Sequence, residues 1–304
     1  MAMFKAPVPW LFYHAYTLFL FTASDIAAVL LPQSFFAISF ALSPTLNGGI
    51  HISPYTIFSR LPAAMFWVWL HLLVLDLSNQ RRPDSVAEDK LNKPWRPIPS
   101  GRLQPHHARQ LLIFSIPFLY VLSSQALGGE PETVALFVLN WIYNDLDAAE
   151  HMILRNILNA LGITFIGAGA TAVLTGESVG SENVRGREWL FACAGVLATT
   201  IQAQDLYDQE GDGKRGRKTM PLVLGDVTAR FVTAGPVLIW SVLVPGYWRI
   251  TGLMGWLTTL LPGLVLAGRM LKYRNIESDR KTFKLWACWT IGLYAVPIIK
   301  ATEG

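Results

Sequence analysis

The sequence predicts an all-α, polytopic membrane protein, and three observations carry that reading. Of its 304 residues, 52% are apolar and only 15% are charged, with a mean hydropathy of +0.36; soluble domains carry about 25% charged residues. The apolar residues fall in long runs without a charge, and the cations gather on one side of those runs. The same composition excludes intrinsic disorder. Cys193 and Cys288 both sit in apolar runs, which argues against a disulfide framework or a Cys-based zinc site. A formal net charge of +4 is too small to suggest a nucleic-acid partner.

A helix needs about 20 mostly apolar residues to cross the hydrocarbon core. In chain order, Tyr16 to Ser43 reads as one long helix interrupted by Asp25 and Pro32, too long and wrongly flanked for a cleavable signal peptide. Tyr55 to Asn79 is the second span. The uncharged stretch from Arg109 to Glu130 is the third, and Pro131 to Asp145 a short fourth. Arg155 to Glu177, Trp189 to Gln204, Arg230 to Arg249 and Arg249 to Arg269 follow. Lys284 to Lys300 is short, but its bounding cations can snorkel. The expectation is therefore nine spans. They would place Lys5 and four connections on one side, with 20 of the 25 Lys and Arg residues. The positive-inside rule makes that side cytoplasmic.

Two connections on this side carry the chemistry. In the segment from Gln204 to Gly225, Asp205, Asp208 and Asp212 are spaced i, i+3, i+7, which stacks them along one face of a helix. Three carboxylates on one stripe repel unless cations hold them, and an all-oxygen set at this density suits Mg²⁺. Gly211 and Gly213 loosen the helix before Lys214, Arg215, Arg217 and Lys218. Carboxylates for a metal followed by cations for the remaining negative charge fit a diphosphate better than a lone carboxylate substrate. In the segment from Asn79 to Arg102, Pro83 opens a short helix on which Asp84 and Glu88 share a face, with Asp89 about 100° round. Asn79 adds a neutral oxygen, while Lys93, Arg96 and Arg102 follow on a loop stiffened by Pro94, Pro97 and Pro99.

Other features have plainer readings. The run from Lys214 to Lys218 taken alone is a solvated loop, and Pro94 to Pro99 could serve as a polyproline ligand. His106 and His107 point about 100° apart on a helix, which favours solvation over metal binding. Gly167 and Gly169 permit close helix packing. Asp145, Asp147 and Glu150 face solvent, while Asn156 either bonds another helix or reaches the diphosphate. An ion-coupled transporter would need acids in mid-span, and only Asp25 and Asp76 lie deep.

Together the two segments resemble the Asp-rich motifs of the UbiA superfamily of intramembrane prenyltransferases. That family's first motif runs Asn-Asp-x-x-Asp-x-x-x-Asp, then Asn-Lys-Pro-x-Arg-Pro, then Gly. Asn92-Lys93-Pro94-Trp95-Arg96-Pro97 and Gly101 match its second half, and Asp205, Asp208, Gly211-Asp212, Lys218-Thr219 and Pro221 match the second motif. The resemblance implies one integral-membrane unit over residues 1–304, with motif segments at 79–102 and 204–225. It implies a nine-helix bundle around a central cavity opening to the cytoplasmic side. It also implies Mg²⁺ held by Asn79, Asp84, Glu88, Asp89, Asp205, Asp208 and Asp212, and a polyprenyl diphosphate neutralised by Lys93, Arg96, Arg102 and Lys218. Catalysis would rest on Asp205, Asp208, Asp212 and Asn79.

The departures are specific. Gln80 stands where the family has Asp, and Asn79 precedes Asp89 by ten residues instead of eight. Strict register puts the middle ligand on Ser85, and Asp84 is the carboxylate beside it. Asn79-Gln80 followed by Glu88-Asp89, the run from Leu20 to Asp25, and Arg155-Asn156 to Gly162 resemble the fungal branch of membrane-bound terpene cyclases. That implies cyclisation of a C15 or C20 substrate, farnesyl or geranylgeranyl diphosphate, in a lipid membrane, the endoplasmic reticulum if the source is fungal. Tyr207 and Tyr143 are candidates for facing the cation. Transfer of the prenyl group to an aromatic acceptor is the alternative.

Overall fold

The computed structural model describes residues 9–50, 52–179 and 183–303; Lys5, counted above with the cytoplasmic cations, lies outside them. Among the described residues every regular element is helical. The first expected span is broken. α1 (Trp10–Thr22) ends at Ala23 to Asp25, a π-helical turn follows over Ile26–Leu30, and α2 (Leu31–Leu42) leaves at 62° to α1. α3 (Pro54–Gln80) starts on Ser53, whose hydroxyl accepts from the Thr56 N–H at 3.1 Å, with Pro54 at the first position where its missing N–H costs nothing. After a two-residue turn, α4 (Pro83–Asn92) restarts on Pro83. α5 (Pro105–Leu122), α6 (Glu130–Asn144), α7 (Met152–Thr175) and α8 (Val184–Thr200) follow. A 3₁₀ turn leads into α9 (Asp205–Arg215), then α10 (Met220–Leu224), α11 (Asp226–Tyr247), α12 (Leu253–Lys272) and α13 (Ile276–Thr302).

Six of these helices are long and apolar enough to cross a membrane, or seven if the bent pair α1–α2 counts as one span. The nine-span expectation goes further than this. The reason is length: α6 has 15 residues and α8 has 17, reaching roughly 22–26 Å at 1.5 Å per residue against a core of about 30 Å. Large apolar side chains nevertheless point outward around the bundle, such as Ile113, Phe114 and Phe118 on α5 and Phe231 and Ile239 on α11. Water would not tolerate a continuous belt of this kind; it is a lipid-facing surface, and the protein is an integral, multi-pass membrane protein.

α7 lies at the centre, packed against α2, α3, α6 and α8. A Cβ at Gly169 would collide with the fully buried Trp67 ring of α3, and one at Gly167 with Gln33 of α2. The small residues therefore let three helices close up, and they leave the functional end of α7, around Arg155, one side of a cavity.

Candidate active site

The two acidic segments lie side by side. On α4 the buried residues Ser85, Glu88, Asp89 and Asn92 form one face, and on α9 Asp205, Asp208, Gly211 and Asp212 do the same. The faces meet where the Asn92 side-chain amide donates to the Asp208 carbonyl at 3.2 Å. Only glycine fits at 211, since a Cβ there would overlap the Asn92 amide. Gly211→Val should therefore force α4 and α9 apart. The expected result is a loss of roughly 1–3 kcal/mol in thermal unfolding of the purified protein, as for other overpacked sites, together with a fall in activity.

Helical spacing explains why the acids are not already gathered on one point. Residues three or four apart sit about 5–6 Å from each other, and no two of the three α9 carboxylates share a cation. Asp205 pairs with Arg155 of α7 at 2.8 Å, Asp208 with Lys93 at 3.0 Å, and Asp212 with Arg217 at 3.2 Å. Glu88 is shared between Arg217 at 3.0 Å and Arg215 at 3.1 Å. Arg96 Nη1 bonds both oxygens of Asp89, at 2.9 and 3.0 Å. Among the described residues no three His, Cys, Asp or Glu side chains converge closely enough to hold one ion in this arrangement. Capacity remains on both signs, however. Asp205 Oδ2, Asp208 Oδ1 and Asp212 Oδ2 are buried without a hydrogen-bond partner, as are the Nε atoms of Arg96, Arg155 and Arg217. Unused oxygens on three neighbouring carboxylates beside unused guanidinium donors fit a hard divalent cation and an anion together.

The electrostatics are those of a crowded, partly dehydrated site. Burial pushes Asp212 up to about 6 in spite of Arg155 nearby. Burial also works against the charge on Glu88, but Arg217 and Lys93 outweigh it and hold its carboxyl below the usual range. Lys93 is likewise disfavoured by burial, and Asp208 opposite it raises its pKa instead.

Part of this charged cluster lines a cavity of about 210 Å³. Asn79, Glu88, Lys93, Arg96, Arg155, Asp208 and Arg217 line it at the charged end, while Leu72, Leu158, Ile163 and Ile166 line it further along α3 and α7. From Arg155 to Ile166 along α7 is roughly 16 Å at 1.5 Å per residue. One wall is aromatic: the Tyr207 ring lies 5.8 Å from Phe283, which stacks on Trp286 at 5.3 Å, and all three face the cavity. Tyr143 lines it as well.

Three expected positions lie off the cavity wall. Asp84 is half-exposed and held by Arg215 at 3.0 Å and Arg82 at 3.4 Å, off the cavity wall. Its neighbour Ser85 is the buried residue, donating to Asn79 Oδ1 at 3.2 Å. Arg102 stacks over the Tyr13 ring at 4.3 Å and bonds Thr17, away from the acids. Lys218 is exposed, and the adjacent Arg217 takes the inward position. Asp89, Asp205 and Asp212 sit one layer behind the wall, paired with cations that do line it. Arg155 and Arg217, which the sequence offers only as part of a family-like run and of a basic run, both line the cavity. The signal for Arg155 was available, since it is a lone cation at the head of an apolar run.

Comparison with known proteins supplies the family. The chain is 28% identical over 290 residues to the fumagillin β-trans-bergamotene synthase af520 of Aspergillus fumigatus, covering 95% of this chain and 93% of the relative. It is 27% identical over 276 residues to the polyprenyl transferase eriF of Hericium erinaceus, covering 88% of each. The fold superposes on that of a UbiA homologue from Archaeoglobus fulgidus bound to DMAPP and Mg²⁺, with a TM-score of 0.62 at 16% identity, over 93% of this chain and 98% of that one. The model of the UbiA prenyltransferase family matches residues 84–289, which contain α4, α9 and most of the cavity wall. The chain belongs to the UbiA prenyltransferase family.

Proposed function

We propose that this protein is a Mg²⁺-dependent, class I terpene cyclase that ionises a C15 or C20 prenyl diphosphate and folds the resulting cation into a cyclic hydrocarbon. The observation that carries the reading is a single cavity bordered by both acidic segments and lined further in mainly by leucine, isoleucine and aromatic side chains. The sequence similarity to a bergamotene synthase over nearly the whole chain supports it. The same reading puts the chain across the membrane nine times, with the acidic segments on the cytoplasmic side.

The donor set supports a choice of ligands. Asn79, Glu88 and Asp208 at the wall, with Asp205 and Asp212 behind them, would hold the metal, which when bound supplies Lewis-acid neutralisation of the diphosphate. Lys93, Arg96, Arg155 and Arg217 donate to the remaining phosphate oxygens, giving up part of their present pairing with carboxylates. Breaking the C–O bond leaves an allylic cation in a pocket lined further in by leucine and isoleucine, and keeping water from it is part of the pocket's task. The Tyr207, Phe283 and Trp286 faces stabilise it through their quadrupoles, by about 2 kcal/mol in a desolvated site.

Gln80 supports cyclisation over transfer only indirectly. It stands where the usual motif has a carboxylate, and it is fully buried off the cavity wall. Similarity to a polyprenyl transferase favours the second reading, prenyl transfer to an aromatic acceptor. One incubation separates them. Membranes carrying the protein, given Mg²⁺ and farnesyl or geranylgeranyl diphosphate without acceptor, should yield a cyclic hydrocarbon from one substrate, and EDTA should abolish it. Product only after addition of a phenol or quinone precursor would establish transfer.

A further inference from the structure

We propose that the Asp25 and Asp76 carboxyl groups form the proton acceptor that ends the cyclisation, an inference that rests on the cyclase reading above. Both residues line the cavity, and neither belongs to the acid–base pairs of α4 and α9. Asp76 is 7% exposed and its Oδ2 has no hydrogen-bond partner, while Gln80 ties Asp76 to Phe21, four residues before Asp25. A buried carboxyl within a membrane helix is costly unless it has a task.

The chain is bent to bring the pair together. At the break after α1 the Asp25 N–H bonds Thr22 O at 2.9 Å, and the π turn then hangs from the Asp25 carbonyl, which accepts from Val29 and Leu30 at 2.8 and 3.0 Å. Gln80 clamps the arrangement: its side-chain amide donates to Phe21 O at 2.9 Å and to Asp76 Oδ1 at 2.8 Å. The residue that departs from the family motif is thus a positioning residue for Asp76. The only cation paired with Asp76 among the described residues is Arg96, at 4.0 Å, so the pair is not neutralised by a close salt bridge.

The step balances without a further reactant. It requires only that Asp76 enter the step as a carboxylate. A C–H bond adjacent to the cationic carbon breaks, its electron pair becomes the new C=C bond, and the proton passes to the free Asp76 oxygen. The cation becomes a neutral alkene and the Asp76 carboxylate a carboxylic acid, which returns its proton to solvent when the cavity empties. Asp76 lies about one helical turn inside Asn79, so the carbon that loses the proton is held near the mouth and not at the Ile163–Ile166 end.

The test uses the full chain in lipid with Mg²⁺ and the prenyl diphosphate that the wild type converts, measuring diphosphate release and product composition together. Asp76→Asn and Asp25→Asn should each keep diphosphate release within about threefold of wild type while the native hydrocarbon falls by about 10²-fold, as for loss of a general base. Water-quenched alcohols or isomeric alkenes should replace it. Two variants are used so that failure of one to assemble leaves the other decisive. An unchanged product profile in either assembled variant, or diphosphate release that falls in step with the hydrocarbon, would overturn the inference. The wild-type arm separates the two levels: absence of hydrocarbon from wild type overturns the cyclase reading and this inference with it, whereas normal wild-type product beside unaltered variants overturns this inference alone.

Discussion

Asp208→Ala should lower diphosphate release by at least about 10²–10³-fold, the scale for removing one preorganised group that stabilises transition-state charge. Asp208 is the α9 carboxylate that lines the cavity, and one of its oxygens is unused. The substitution also removes the partner of Lys93, at 3.0 Å. That side chain is 18% exposed and can turn its ammonium toward the mouth, so the protein should still fold. Asp208→Asn provides the control, because its amide oxygen still accepts from Lys93 while the charge is gone. Both variants should purify as well-behaved protein with thermal unfolding close to wild type, and both should lose activity. Turnover near the wild-type rate in either would remove Asp208 from the site.

Arg217→Ala should reduce activity by about 10²-fold, again on the scale of one electrostatic donor, while Lys218→Ala should change it by less than about threefold, as exposed charges usually do. Arg217 lines the cavity and holds both Glu88 and Asp212; Lys218 is exposed, and the contact it makes is a backbone one, its N–H donating to Glu150 O at 3.2 Å. Removing Arg217 leaves Arg215 on Glu88, which limits the structural damage. Steady-state diphosphate release over a range of prenyl diphosphate concentrations checks the ranking, with KM expected to rise for Arg217→Ala. The opposite ranking would mean that the chain beyond α9 turns differently when substrate is bound.

Much of this site is legible in the sequence, and the limits have physical causes. Charge-free apolar runs give the membrane class, and the spacing of Asp205, Asp208 and Asp212 places all three on one buried face. Spacing says which side chains share a face, but not which cation each one meets, so the pairing of Asp205 with Arg155 of α7 was out of reach. Helical register also ends where the helix ends. α9 stops at Gly216, whose φ of +82° reverses the chain, and this is why Arg217 and not Lys218 turns inward. The turn at Arg81 and Arg82 resets the register between α3 and α4 in the same way, leaving Ser85 inside and Asp84 at the rim. The break at Asp25 was visible as a charge in an apolar run. Its 62° bend was not, and neither was the bond from Gln80 to Phe21 O beside it, which spans 59 residues of chain.

The central claim is that α4 and α9 jointly grip one diphosphate at the mouth of the cavity. Its most direct test is a structure of the protein in lipid with Mg²⁺ and a thiolo analogue of the prenyl diphosphate that cannot ionise. The account predicts phosphate density between Asn79–Glu88 and Asp205–Asp212, touched by Lys93, Arg96 and Arg217, with the prenyl chain running toward Ile166. Phosphate density bound elsewhere, or contacting only one of the two helices, would contradict it.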